Sequence, residues 1–374
     1  MDHAKLFPNE PAYFIPEQLD RLLIHGYRLG ASDLSIQSGE RVIAEIEGCL
    51  YQLTQRKLTQ QECVDLINHI YGANAAAMIF SGTDIDTNYR VRLSDKEQYR
   101  FRVNVTACMF DGYQGLQTTL RTISSQPPKL SELGLEPEIG DKIKIPQGVM
   151  VVSGATGSGK STLLASITAD LLQQPDSNLK VLTYESPIEY VYDEVDKPSS
   201  IISQTEIPRY LPSFAAGVRN ALRRKPGLIV VGEARDQETI EAVIDASLTG
   251  HPVYTTVHAN GVADTLRRMV TIFPHEERDT RMFDLLEVIK VIIWQALVAT
   301  PTGKRIALRE YLVMTDEVRD QLLATPVGEL VSKVRQLLPK YGQPIWRVAK
   351  QQYQQGNITK QAYQRFAREE MSHA

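Results

Sequence analysis

The chain has 374 residues, enough for about two domains with ample core. Its 41 Lys and Arg stand against 45 Asp and Glu, a balance that excludes any global pull toward nucleic acid or an anionic membrane surface. The cysteines, Cys49, Cys63 and Cys108, form no Cys-x-x-Cys pair, which argues against a disulfide framework and a structural zinc site.

In chain order, Met1-Asp-His-Ala-Lys-Leu6 lacks the basic-then-apolar order of an export signal, and nowhere do about 18 apolar residues run uninterrupted, so a cytoplasmic chain is expected. Residues 17–30 place Leu19, Leu22, Leu23 and Tyr27 on one helical face that ends at Gly30. Alternating runs at 33–37, 42–46, 89–93 and 99–105 predict strands, with helices near 59–71 and over 75–80. Residues 1–123 are therefore expected to form a small α+β domain. The composition of Ser124-Ser-Gln-Pro-Pro-Lys-Leu-Ser131 predicts a linker over 124–146. Arg100, Arg102 and Arg121 bracket the strands nearest that linker, either as a solvated strand face or as groups for an anion.

Val149–Val152 reads as a buried strand that breaks into Gly154-Ala-Thr-Gly-Ser-Gly-Lys-Ser161, with an apolar helix beginning after it. Glycines let backbone N–H groups curl around a polyphosphate, and the following helix points its unsatisfied N–H groups at the same anion. Gly154, Ala155, Thr156, Gly157, Ser158, Gly159, Lys160, Ser161 and Thr162 are the expected nucleotide-binding residues. Lys160 is expected to reach the β- and γ-phosphates and Ser161 to ligate Mg²⁺.

Three further apolar strands end in polar groups. Val181–Tyr184 delivers Glu185 and, four residues on, Glu189, either of which would orient or deprotonate a water. Leu228–Val231 ends in Gly232 and Glu233, a carboxylate placed to hold Mg²⁺. His251–Val257 leads to His258, a candidate γ-phosphate sensor. Helical spacing continues over 279–294, a closing strand is expected at 305–313, and a polar helical tail follows from Thr315, as a cap or a docking surface. The basic cluster Arg219, Arg223, Arg224 and Lys225 is the sole local support for a nucleic-acid translocase, so no strong direct nucleic-acid signal is present.

The four segments 154–161, 185–189, 230–236 and 255–260 resemble, in order, the Walker A, Asp, Walker B and His boxes of the PilT/VirB11-like secretion ATPase superfamily. Gly30–Ser35 and Arg100–Asn104 are similar to its N-terminal domain. The stretches 181–193, 214–228 and 293–298 resemble the ATPases of type IVB secretion systems and of IncI-type conjugation. The resemblance implies an α/β chain in which a RecA-like P-loop ATPase domain with a helical tail, 147–374, follows a smaller PAS-like domain. It further implies a homo-hexamer that hydrolyses ATP with Mg²⁺ and is held at the inner face of the bacterial inner membrane only through partner components. Catalytic roles are implied for Glu189 or Glu185, Glu233, His258, Arg102 and Arg121. Ser186 stands where most of the family has Asp, and the intact Pro187-Ile-Glu189 favours Glu189. Ser35 stands where pilus-retraction members usually carry His, which weighs against that alternative.

Overall fold

The computed structural model describes residues 5–94, 97–123 and 126–371. Met1–Ala4 and the first two residues of the predicted linker, Ser124 and Ser125, lie outside them. The chain divides into two compact units, one of Met1–Ser125 with Pro187–Val191, the other of Gln126–Ser186 with Tyr192–Ala374.

The first unit opens with α1 (Pro16–Arg28), then β1 (Asp33–Gln37), β2 (Ile43–Ile46), β3 (Cys49–Gln52), α2 (Gln60–Tyr71) and α3 (Ala75–Phe80). It ends with β4 (Ile85–Arg92), β5 (Gln98–Phe110) and β6 (Tyr113–Ile123). The strands form an antiparallel sheet in the order β3-β2-β1-β6-β5-β4. Period-two alternation sorts the residues of β5: Tyr99, Phe101 and Val103 enter a core with Leu19, Leu22, Leu66 and Ile67, while Arg100, Arg102 and Asn104 share the opposite face. On that polar face Arg102 pairs directly across from Arg121 of β6, and Arg121 from Asp33 of β1.

The second unit begins with a short 3-10 turn, Leu130–Leu133, and α4 (Pro137–Gly140), inside the stretch predicted as linker. Ile139 and Ile143 are buried there, so these residues pack as part of the unit and do not cross solvent. There follow β7 (Gly148–Ser153), α5 (Lys160–Gln173), β8 (Lys180–Glu185), β9 (Ile201–Glu206), α6 (Phe214–Ala221), β10 (Leu228–Val231), α7 (Gln237–Leu248), β11 (Pro252–Val257), α8 (Val262–Thr271) and α9 (Arg278–Val288). The chain closes through β12 (Ile289–Ala299), β13 (Arg305–Val313), α10 (Asp316–Leu323), α11 (Leu330–Tyr341), β14 (Gly342–Gln343), α12 (Ile345–Gln354) and α13 (Lys360–Met371). The sheet order is β14-β13-β12-β7-β11-β10-β8-β9, parallel from β12 to β9. All six residues of β7 and all four of β10 are buried, as strands covered on both faces must be.

The helix expected through Trp294 stops at Val288. Ile289–Trp294 is instead the start of β12, lying between β7 and β13. A run that is apolar apart from Lys290, with Ile289, Val291, Ile292 and Ile293, fits a doubly covered strand as well as a buried helix, and its β-branched content favours the strand. No described helix is long and apolar enough to cross a membrane.

A buried carboxylate fixes the start of α2. Glu62 is fully buried, accepts the Thr59 N–H at 2.8 Å and the Phe14 N–H at 2.6 Å, and pairs with Arg56. Burial pushes its pKa up, but Arg56 and the amide donors outweigh that and hold it below the ordinary carboxylate value. A carboxyl lowered in the folded state stabilises at neutral pH, and the contribution disappears as acid protonates it. Glu62→Ala is expected to destabilise the protein by about 3 kcal/mol, measured by urea unfolding at pH 7. The gap between variant and wild type should shrink as the pH is lowered below 4.

Candidate functional site

The strand order dictates what meets at the carboxyl edge of the sheet. Because β11 lies between β7 and β10, the residue leaving β11 stands between the loop that follows β7 and the acid that follows β10. That residue is His258. Its Nδ1 lies 3.4 Å from Lys160 Nζ, and its Nε2 lies 3.4 Å from Glu233 Oε1. Nδ1 accepts from the ammonium when the ring hydrogen is on Nε2, the nitrogen that faces Glu233. Thr256 Oγ1 donates to the Gly232 carbonyl at 2.5 Å and Ala234 N–H donates to the Thr256 carbonyl at 2.9 Å, tying the two strand ends together. A Cβ at Gly232 would stand 3.2 Å from the Tyr184 carbonyl oxygen and 3.3 Å from Glu185 Cα, so the backbone of β8 would have to shift by a few tenths of an ångström to admit it.

The loop from Gly154 to Gly159 wraps the start of α5. Lys160 is 7% exposed, and its ammonium donates to the carbonyls of Gly154 at 3.0 Å and Ala155 at 2.9 Å. Gly159 caps α5 in the left-handed region, at a φ of 83°, with no side-chain hydrogen bond. Ser158 Oγ is buried without a hydrogen-bond partner among the described residues, and Ser161 is exposed at the first turn. These donors and the Lys160 charge suit a polyphosphate. Among the described residues no three His, Cys, Asp or Glu side chains converge to hold a metal, so Mg²⁺ here would rely on Ser161, Glu233, phosphate oxygens and water, its usual mixture of ligands. A cavity of 910 Å³ opens beside Gly159 and Thr162, walled by Leu133, Leu135, Leu297 and Ile306.

The other predicted residues are placed as follows. Glu185, at the end of β8, accepts hydrogen bonds from Thr183 Oγ1 at 2.6 Å and Gln204 Nε2 at 3.1 Å. Glu189 belongs to the first unit. Its carbonyl takes Arg100 Nη1 at 2.8 Å, the neighbouring Ile188 carbonyl takes Arg100 Nη2 at 2.9 Å and Asn88 Nδ2 at 2.7 Å, and its carboxylate lies 3.8 Å from Arg102 Nη1. Arg102 also pairs with Asp86 at 2.9 Å, and Arg121 with Asp33 at 3.0 Å. The structure thus gathers Gly154–Ser161, His258 and Glu233 in one unit, and Glu189, Arg102 and Arg121 in the other.

Two site residues escaped the sequence reading. Gln295 of β12 donates from Nε2 to the Ser158 carbonyl at 2.7 Å, and Arg309 of β13 donates from Nε to Gln295 Oε1 at 2.8 Å. Arg309 is fully buried, 3.4 Å from Glu136, and burial lowers its pKa. Desolvation likewise raises the Glu136 carboxyl, with Arg309 opposing it. The available signal was the pair Arg309-Glu310 in the middle of an otherwise apolar strand, since charges at such positions are buried only with partners.

The loop geometry is testable on its own. A Cβ at Gly154 would fall 2.4 Å from the Gln295 carbonyl oxygen and 2.5 Å from Ser158 Oγ, at a φ of 151° that other residues avoid. Gly154→Ala is expected to weaken binding of a fluorescent ATP analogue about tenfold or more while leaving the circular dichroism spectrum unchanged. Wild-type affinity would show that this loop conformation is not the binding one.

A family model described as type II/IV secretion system protein matches residues 9–357. The crystal structure of the Legionella pneumophila ATPase DotB is similar at 53% identity and a TM-score of 0.90, covering 96% of this chain and 98% of that one. The structure of the pilus retraction motor PilT with bound ADP is similar at 28% identity and a TM-score of 0.80, covering 92% of this chain and 95% of that one. The type IV pilus retraction ATPase PilT of Pseudomonas aeruginosa is 31% identical over 85% of this chain and 88% of its own length. The fold is the expected one, a RecA-like ATPase domain with an N-terminal domain before it. The chain belongs to the type II/IV secretion system protein family, in its PilT/VirB11-like superfamily, as an ATP hydrolase similar to DotB.

Proposed function

We propose that this chain is the hexameric motor of a type IVB secretion or conjugation apparatus, converting ATP hydrolysis into substrate transfer or assembly. The observation that carries this reading is the likeness to DotB across nearly the whole of both chains. Pilus retraction is the second reading, supported by 31% identity to PilT, and Ser35 and Ser186 weigh against it. In the preferred reading the motor is cytoplasmic and reaches the bacterial inner membrane through partner components.

In this reading the β- and γ-phosphates displace the loop carbonyls from the Lys160 ammonium and lie at the start of α5, at the positive end of its dipole. The nucleoside then extends into the cavity beside Gly159 and Thr162. Ser161 and Glu233, with phosphate oxygens, would hold Mg²⁺, which would supply charge neutralisation at the phosphates. His258 links Lys160 to Glu233 and so ties the lysine at the phosphates to the metal-binding acid. Glu189 orients the attacking water and accepts its proton, with Glu185 as the competing base. Arg102 and Arg121, opposite each other on β5 and β6, supply the remaining positive charge. Held apart on adjacent strands, two guanidiniums repel, and Asp86 and Asp33 offset that repulsion until a phosphate does so.

ATPase assays with sedimentation in ATP and Mg²⁺ test this reading. Lys160→Ala is expected to abolish turnover and weaken nucleotide binding. Arg102→Ala and Arg121→Ala should each bind ATP yet lose turnover by roughly a hundredfold or more. Glu189→Gln should do the same, and if Glu185→Gln does so instead, Glu185 is the base. Specific activity should rise with protein concentration wherever the ring dissociates. A fully active monomer, or arginine variants with wild-type turnover, would overturn the proposal.

A further inference from the structure

Arg309 and Gln295 form a buried polar line that ends on the phosphate loop. Each of the three guanidinium nitrogens of Arg309 has a fixed partner: Nε donates to Gln295 Oε1 at 2.8 Å, Nη1 to the Gly134 carbonyl at 2.9 Å and to Glu136 at 3.4 Å, and Nη2 to the Leu133 carbonyl at 2.8 Å. Gln295 then uses its remaining end, Nε2, on the Ser158 carbonyl at 2.7 Å. The same Gln295 crowds the loop at two glycines: its carbonyl oxygen is 2.4 Å from where a Gly154 Cβ would stand, and its Nε2 is 2.9 Å from that of Gly159. The Gln295 side chain therefore sets the orientation of the Ser158 peptide and the closest approach at Gly159, while the backbone carbonyl of the same residue sets it at Gly154. A peptide whose carbonyl is held toward β12 presents the N–H of the next residue away from it.

We infer that Arg309 and Gln295 are positioning residues for nucleotide binding: through the Ser158 carbonyl they hold the phosphate loop in its anion-accepting form and lock to it the Leu133–Glu136 wall of the adjoining cavity. The inference rests on the reading that ATP binds at this loop. Its consequence falls on affinity for the nucleotide. Among the described residues neither side chain is a hydrogen-bond partner of Glu233, so the chemical step is left nearly alone.

Gln295→Glu separates positioning from mere structural support. The carboxylate keeps, and strengthens, the acceptor offered to Arg309, but it replaces the donor to the Ser158 carbonyl with a second acceptor that repels it. The variant is expected to keep the wild-type melting temperature within a few degrees while the KM for ATP rises about tenfold and kcat changes less than about threefold. Arg309→Met removes the donors altogether and should raise KM and lower the melting temperature together. Arg309→Lys keeps the charge without the fork and should fall between that variant and the wild type. A folded Gln295→Glu with an unchanged KM would overturn the inference. If that variant does not fold, an unchanged KM in Arg309→Lys overturns it equally. Failure of the underlying reading shows separately, as a Lys160→Ala protein that binds ATP like the wild type.

Discussion

The position of β11 between β7 and β10 is the constraint from which the functional arrangement follows. Parallel strands direct their carboxyl ends to one edge, and three neighbours in this order place a glycine-rich loop, a histidine and a carboxylate side by side. The strands are widely separated in sequence, since β7 begins at Gly148 and β11 at Pro252, and only the burial of both sheet faces brings them into register. Apolar packing of Val149, Val151, Ile229 and Val253 thus fixes the Lys160, His258 and Glu233 side chains at hydrogen-bonding range. Their geometry depends on core residues that never touch a ligand.

Much of this was legible in the sequence. The glycine-rich loop announces itself through residues suited to positive φ, and three of its glycines take it, Gly154, Gly157 and Gly159. The strand ends at Glu185, Glu233 and His258 follow from short apolar runs bounded by polar residues, a pattern that survives without knowledge of the partners. The order of the strands was not legible, because nothing in one strand's composition names its neighbour. Hence the Lys160–His258–Glu233 contacts emerged only from the structure. The boundary at Val288 was hidden for another reason: a segment apolar but for Lys290 carries too little periodicity to tell strand from helix.

Placement of Glu185 and Glu189 in different units was also beyond the sequence. Only Ser186, Pro187 and Ile188 separate them, and spacing alone suggests two carboxylates at one strand end. The contacts divide them. Glu185 continues β8 and bonds to Thr183 and to Gln204 of β9, whereas Pro187 starts a segment whose carbonyls turn to Arg100 and Asn88. A side-chain grip on backbone carbonyls leaves no trace in local propensity, so an arginine in an alternating strand looks the same whether it faces water or holds another segment.

Arg100 and Arg309 share this device, and it explains why both positions carry arginine. Each guanidinium spreads two nitrogens over two consecutive carbonyls of an irregular segment, Ile188 and Glu189 for Arg100, Leu133 and Gly134 for Arg309. Such segments have no ladder to satisfy their carbonyls, and a buried carbonyl left unpaired is destabilising. A planar fork with a fixed spread satisfies two neighbouring oxygens at once and sets the direction of the chain between them. Lysine offers one compact ammonium and cannot impose that direction. In each unit, therefore, a strand of the sheet determines the path of a stretch of chain through a single buried or nearly buried arginine. In each case that stretch carries or walls the groups on which the proposed chemistry depends, Glu189 in one and the cavity beside Gly159 in the other.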